Sequence, residues 1–266
     1  MPPLPSRAPK SHFLSDMTSD YPIFALWAHP RSLSTVTERI FMERGDLHIF
    51  HEPFSVLYYV AEGRGTAVPS GDTAAYLKDY PSVKESILAK AKHQAVFLKD
   101  MPHHCYDHLA ADEAFLQKLK CVFLIREPAA TIASHYAQNP AVLLEEIGYE
   151  QEYKLFEKVQ AAQGAIPCVV DAADLQSNPE GIIRAMCDHI GLPFILDSLS
   201  WEKGQPKEWE AWASWHQDAA DSTAVFQRTK HYDVTVQNNK TLSDFYTYHL
   251  PFYEKLVQHK IQPASP

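Results

Sequence analysis

Apolar residues along this chain fall into two alternating patterns. Ile23–Ala28, His48–Phe50, Ala95–Leu98, Cys121–Ile125 and Pro167–Val170 are short, mostly continuous apolar runs. Runs of this length, rich in Val, Ile and Phe, mark strands buried on both faces. Between them, Leu33–Arg44, Ser82–Lys92, Asp107–Lys118, Ala129–Gln138, Gln151–Gln163 and Pro179–Ile190 repeat apolar positions at helical spacing. Gly45 and Gly191 are placed to stop two of these helices, and Asn178 to cap one. Strands alternating with helices predict an α/β fold: a parallel central sheet, right-handed crossovers and helices on both faces.

Outside that alternation the pattern loosens. Residues 1–20 are rich in Pro, Ser and charge and lack an apolar segment, which predicts a disordered tail ahead of a single domain over 21–266. Ser55–Tyr80 is broken by Gly63, Gly65, Pro69 and Gly71 and carries Tyr58, Tyr59, Tyr76 and Tyr80, which reads as a long substrate-binding insertion. Past Pro193, Trp201, Trp209, Trp212 and Trp215 crowd together, and Asp221–Arg228 with the polar stretch to Lys240 reads as a loop system over the site. Leu242–Ile261 predicts a closing helix interrupted near Pro251.

In open parallel sheets, ligands sit beyond the carboxyl ends of the strands. Polar clusters fall at four such ends: Pro30–Thr35, Glu52, Lys99–His104 and Arg126. In Pro30-Arg31-Ser32-Leu33-Ser34-Thr35 a tight turn feeds a helix start, so backbone N–H groups and the helix dipole favour an anion. Arg31 adds charge, and Ser32, Ser34 and Thr35 add donors, although a Ser at this place also serves as an ordinary cap. Arg126 ends a buried strand and Ser134 lies two turns into the next helix, a second pairing suited to phosphate.

Composition narrows the classes. The 266 residues carry a net charge of −9, which argues against nucleic acid or an anionic membrane as partner. No apolar run has the length of a membrane span. Four cysteines at wide spacing, with no C-x-x-C, fit a reducing cytoplasm. The G-x-x-x-x-G-K-[ST] phosphate loop is missing, which disfavours an ordinary kinase or GTPase, and G-x-S-x-G is missing too. His103, His104, Cys105 and His108 offer metal-ligand chemistry but no second pair of ligands, so no metal is expected. Nothing in the sequence fixes the oligomeric state.

Taken together and in order, these motifs resemble those of the PAPS-dependent sulfotransferases (PAPS is 3′-phosphoadenosine 5′-phosphosulfate). In that family a P-[KR]-S-x-[ST]-T turn holds the 5′-phosphosulfate, and Pro30–Thr35 matches it. A later strand ending in Arg, with Ser eight residues on, holds the 3′-phosphate, and Arg126 and Ser134 match at that spacing. Val169–Leu175 through Gly191–Phe194, and Tyr253–Leu256, are similar to later parts of the family pattern. Leu33 stands where the family commonly has glycine, and Lys203-Gly204 and Gln227-Arg228 match the family's basic C-terminal segment poorly, which points to a divergent branch nearer bacterial-type members.

The resemblance implies the P-loop-like sulfotransferase architecture and sulfuryl transfer from PAPS to the hydroxyl of a small-molecule acceptor, without metal. It implies nucleotide contacts from Arg31, Ser32, Leu33, Ser34, Thr35, Arg126 and Ser134. Arg31 and Lys99 would supply charge at the transferring group. The base would be Glu52, with His104 the runner-up and His103 a further candidate. The alternatives are a nucleotide-dependent phosphotransferase and a non-catalytic nucleotide-binding protein on the same fold.

Overall fold

A computed structural model describes residues 20–225 and 230–264. The expected N-terminal tail up to residue 19, and Gln227 with Arg228, lie outside the described residues. Five parallel strands form one sheet in the order β2-β3-β1-β4-β5. They are β1 (Ile23–Ala28), β2 (His48–His51), β3 (Val96–Asp100), β4 (Leu119–Ile125) and β5 (Cys168–Asp171). β1 sits in the middle, paired with β3 on one side and β4 on the other.

The period of two along each strand divides the core into two layers. Ile23, Ala25, Trp27, Leu98 and Phe123 face one layer, while Phe24, Leu26, Phe97, Val122 and Leu124 face the other. The first layer is covered by Val83 and Ile87 of α2 (Tyr80–Ala91) and by Leu155 and Phe156 of α6 (Tyr149–Gln163). The second is covered by Ile40 and Phe41 of α1 (Ser34–Glu43) and by Ile182 and Met186 of α8 (Pro179–Ile190). Both faces of the sheet's centre are therefore dry, which is why β1 and most of β4 read as apolar runs.

Several boundaries depart from the sequence reading, each for a local reason. The helix expected over Asp107–Lys118 is two short ones, α3 (Tyr106–Ala110) and α4 (Glu113–Leu116), because the Asp112 carboxylate accepts the Phe115 N–H at 3.2 Å and caps a fresh start. The C-terminal helix is not interrupted at Pro251. α10 (Lys240–Val257) runs through it, held along one face by buried Leu242, His249 and Leu256. β3 extends to Asp100, which places Lys99 and Asp100 inside the sheet. Asn178 caps α8 by accepting the Gly181 N–H at 3.0 Å, as its position suggested. Between β4 and α6 runs α5 (Pro128–Gln138), and a short helix α7 (Ala172–Ser177) follows β5. α9 (Gln217–Ala220) sits in the segment after the tryptophans. Among the described residues, no helix is long and apolar enough to cross a membrane.

Candidate active site

The carboxyl end of β1 lies where the chain order reverses, with β2 and β3 to one side and β4 and β5 to the other. A crevice opens at such a point. The turn that leaves β1 is strained in a specific way. Arg31 has φ 66°, and Leu33 has φ 75° and ψ 15° immediately ahead of α1. Left-handed residues next to a helix start turn successive N–H groups inward and build a concave anion site. The first backbone bond in the helix ladder is Thr37 N–H to Leu33 C=O at 3.0 Å, so the N–H groups of Ser34, Thr35 and Val36 precede it. Leu33 takes up the conformation its glycine counterpart would adopt. Its side chain packs on the second core layer. The third left-handed non-glycine among the described residues is Glu52, at φ 42°, so all three are in this site.

Two arginines and a serine knit the strand ends together. Arg31 Nε donates to Ser134 Oγ at 3.0 Å, and its Nη1 to the Trp215 carbonyl at 3.3 Å. Arg126 Nη1 donates to the Arg31 carbonyl at 2.9 Å. The backbone of Arg126 is held from both sides: its N–H donates to His29 Nε2 at 3.0 Å, and its carbonyl accepts Tyr149 O–H at 2.5 Å. The sequence paired Ser134 with Arg126. The structure places Ser134 on Arg31, so the two expected phosphate groups of residues form one connected array.

Glu52 and Lys99 form a buried ion pair at the ends of β2 and β3. Burial by itself would raise the Glu52 carboxyl, but Lys99, then His51, His216 and His104, outweigh it and hold the group well below the usual carboxylate range. Beside it, His104 Nδ1–H donates to Asp100 Oδ1 at 2.6 Å, and Asp100 Oδ2 accepts the Phe54 N–H at 2.7 Å. That leaves the lone pair on His104 Nε2, which has no hydrogen-bond partner among the described residues. His103 points elsewhere. Both its ring nitrogens are buried without a partner, and burial holds the ring neutral far below its ordinary titration range.

A further chain of polar groups runs behind Glu52. Trp209 Nε1–H and His51 Nδ1–H both donate to Glu38 Oε2, at 2.9 and 2.7 Å. His51 Nε2 meets His216 Nε2 at 2.9 Å, and His216 Nδ1 meets Thr35 Oγ1 at 3.2 Å. His51, Glu52 and His216 bring ligand-type atoms within 4.8 Å of one another. Glu52 is engaged by the Lys99 ammonium, and the two imidazoles by each other. The histidine–cysteine group weighed as a metal cluster is dispersed. Cys105 packs in the core, and His108 turns outward to Glu62 at 3.3 Å.

Arg31, Leu33, Ser34, Thr35, Glu52, His104, Arg126 and Ser134 line one cavity. Two expected site residues do not. Ser32 is fully buried with its hydroxyl on the His29 carbonyl at 2.8 Å, bracing the turn. Lys99 lies beneath Glu52. Tyr59 from the expected insertion and Trp212 and Trp215 from the tryptophan cluster complete the wall. Trp212 is anchored by its Nε1–H on Ser55 Oγ at 2.9 Å. His135, Gln176, His216, Lys230 and Tyr232 also line the cavity and were not singled out from the sequence. His216 directly follows the last tryptophan, and that adjacency was the only signal it gave.

The chain is 27% identical over 214 residues to branched-chain-amino-acid aminotransferase-like protein 2 of Arabidopsis thaliana, a match covering 79% of this chain and 37% of the relative. This chain thus spans well under half the length of that plant protein. Among solved structures it is similar to the sulfotransferase domain of the Synechococcus PCC 7002 olefin synthase, at 14% identity and TM-score 0.44 over 91% of this chain and 98% of that one. It is also similar to the sulfotransferase domain from the curacin biosynthetic pathway, at 13% identity and TM-score 0.47 over 91% and 99%. The model of the sulfotransferase domain matches residues 23–259, from the first residue of β1 to just past α10, and the chain belongs to that sulfotransferase family.

Proposed function

We propose that this protein transfers a sulfuryl group from PAPS to the hydroxyl of a small-molecule acceptor. The observation that carries the reading is the convergence on one cavity of a left-handed, anion-cradling turn, two arginines and a carboxylate-oriented histidine. The turn from Pro30 to Thr35 takes the 5′-phosphosulfate, and Arg126 with the Arg31–Ser134 pair takes the 3′-phosphate. Such transfers depend mainly on positioning and charge stabilisation around an in-line transition state. Arg31 supplies charge at the cavity wall and Lys99 supplies it from beneath Glu52. No residue of the scheme requires a metal.

Geometry favours His104 over Glu52 as the base. A base needs an available lone pair within reach of the acceptor proton. Asp100 fixes the His104 tautomer and leaves Nε2 buried without a hydrogen-bond partner among the described residues, in a residue that lines the cavity, the arrangement of an oriented imidazole in other transfer sites. Glu52 is held as a strongly stabilised carboxylate by Lys99, which makes it a weak proton acceptor. Its part is to hold Lys99 and shape the cavity floor.

The test is transfer from radiosulfur-labelled PAPS to a panel of hydroxylated small molecules, with His104→Asn and Glu52→Gln compared. His104→Asn should lower kcat by about 100-fold or more with nucleotide affinity kept. Label transfer unaffected by His104→Asn overturns the assignment of the base. A protein that binds PAPS but labels no acceptor is the non-catalytic alternative.

A further inference from the structure

The chain Thr35, His216, His51, Glu38 carries an inference about how the cavity accepts an anion. It rests on the proposed function in one respect, that the cavity takes a phosphorylated nucleotide beside Thr35. Hydrogen-bond direction in the chain is fixed from its inner end. The Glu38 carboxylate is acceptor-only, so His51 must carry its proton on Nδ1. Its Nε2 is then a lone pair, and His216, at 2.9 Å, must present Nε2–H to it. A neutral His216 therefore has a lone pair on Nδ1, and Thr35 must donate its O–H inward across the 3.2 Å contact. The Thr35 hydroxyl thus turns a lone pair, not a donor, toward the cavity it lines.

An anion needs the opposite polarity. If Thr35 swings its O–H to a phosphate or sulfonate oxygen, its own oxygen faces the His216 Nδ1 lone pair. Moving the His216 proton from Nε2 to Nδ1 does not solve this, because the two Nε2 lone pairs would then face each other across 2.9 Å. The arrangement that satisfies every contact holds one more proton. Either His216 becomes an imidazolium donating at both ends, or the whole chain reverses onto a protonated Glu38. The proton count is the same in both cases.

We propose that His216 is an anion-site residue acting through Thr35, and that nucleotide binding draws one proton into this chain. The proton comes from solvent and leaves with the nucleotide. The surroundings suit a group that is neutral when empty and charged when filled. Burial first, then His51, Lys99 and Arg31, keep this imidazole well below its ordinary range, while Glu52 favours the cation. Glu38 acts on it through His51. A bound bisphosphate adds several negative charges beside Arg31 and Thr35 and reverses that balance.

The experiment is calorimetric titration of the whole chain with adenosine 3′,5′-bisphosphate, in HEPES and in Tris, near pH 7.5. There the nucleotide phosphates, with second pKa values about 6, are almost fully ionised. The buffer dependence of the heat gives the protons taken up. The wild type should take up close to one, and its affinity should weaken by up to about tenfold per pH unit on the alkaline side. His216→Gln should take up close to none and flatten the pH dependence. Thr35→Val should do the same, and it decides the matter if His216→Gln does not fold. Binding without proton uptake in the wild type, or unchanged uptake in the folded variants, overturns the inference and leaves the proposed function standing. No binding of the bisphosphate overturns both.

Discussion

The left-handed Leu33 offers a sharp test of the turn, because glycine and alanine should rank there in an unusual order. At φ 75° and ψ 15°, any residue with a Cβ bears roughly 1–2 kcal/mol of strain. The Leu33 side chain offsets part of that by packing, half-buried, on the second core layer. Leu33→Ala removes the packing and keeps the strain, so the loss should be about 1 kcal/mol, half of a full Leu burial. Leu33→Gly removes the packing and the strain together, but adds about 0.5–1 kcal/mol of unfolded-state entropy. The glycine variant should therefore be the more stable of the two by roughly 0.5–1 kcal/mol, reversing the usual preference for alanine. Urea unfolding followed by tryptophan fluorescence, with slopes compared to confirm equal exposed surface, measures the difference. An alanine variant as stable as the glycine one, or more so, would mean that Leu33 is not left-handed, and the description of the anion cradle would fall with it.

Arg126→Ala should weaken adenosine 3′,5′-bisphosphate binding by about 2–4 kcal/mol, read by calorimetry, while leaving binding of a nucleotide without the 3′-phosphate little changed. Lys99→Met should cost about 3–5 kcal/mol of stability by stranding the Glu52 carboxylate, and adding Glu52→Gln to it should restore a large part. In acid, His29 and His135 should unfold the protein. Burial lowers the folded pKa of each from 6.5 to about 3, so the unfolded state binds the extra proton between those values. Their stabilisation is complete above the unfolded pKa and is lost as pH falls from there towards about 3, at up to about 1.4 kcal/mol per pH unit each. Thermal melts across that window should show Tm falling with pH, and a flat Tm would contradict the burial of these rings as neutral groups.

The fold was legible because the sheet is buried on both sides. Phe24-Ala25-Leu26-Trp27 can be read as strand with no alternation to detect, since odd and even positions feed two separate core layers. The turn after β1 was legible through residue types at fixed spacing along one local segment. What escaped was set by contacts between distant segments. The tryptophan-rich segment beside residue 216 signals a wall over the site but not His216 itself, whose partners Thr35 and His51 lie 181 and 165 positions away along the chain. The same holds for Ser134. Its spacing from Arg126 is visible in the sequence, but its bond to Arg31 depends on the fit of β1 and β4 side by side. The proposed ranking of His104 over Glu52 also rests on the structure. Which carboxylate holds an ammonium and which orients an imidazole follows from β3 running on to Asp100, two residues past its expected end.

The two-phosphate character of the cavity is the account's central claim, and one competition reaches it directly. Adenosine 3′,5′-bisphosphate and adenosine 5′-monophosphate are titrated into the same protein without magnesium. The account predicts tight, metal-independent binding of the bisphosphate and an affinity lower by roughly 30- to 1000-fold for the monophosphate, the equivalent of one lost buried charge contact of about 2–4 kcal/mol. Equal affinities, or binding of the bisphosphate only when magnesium is added, would contradict it.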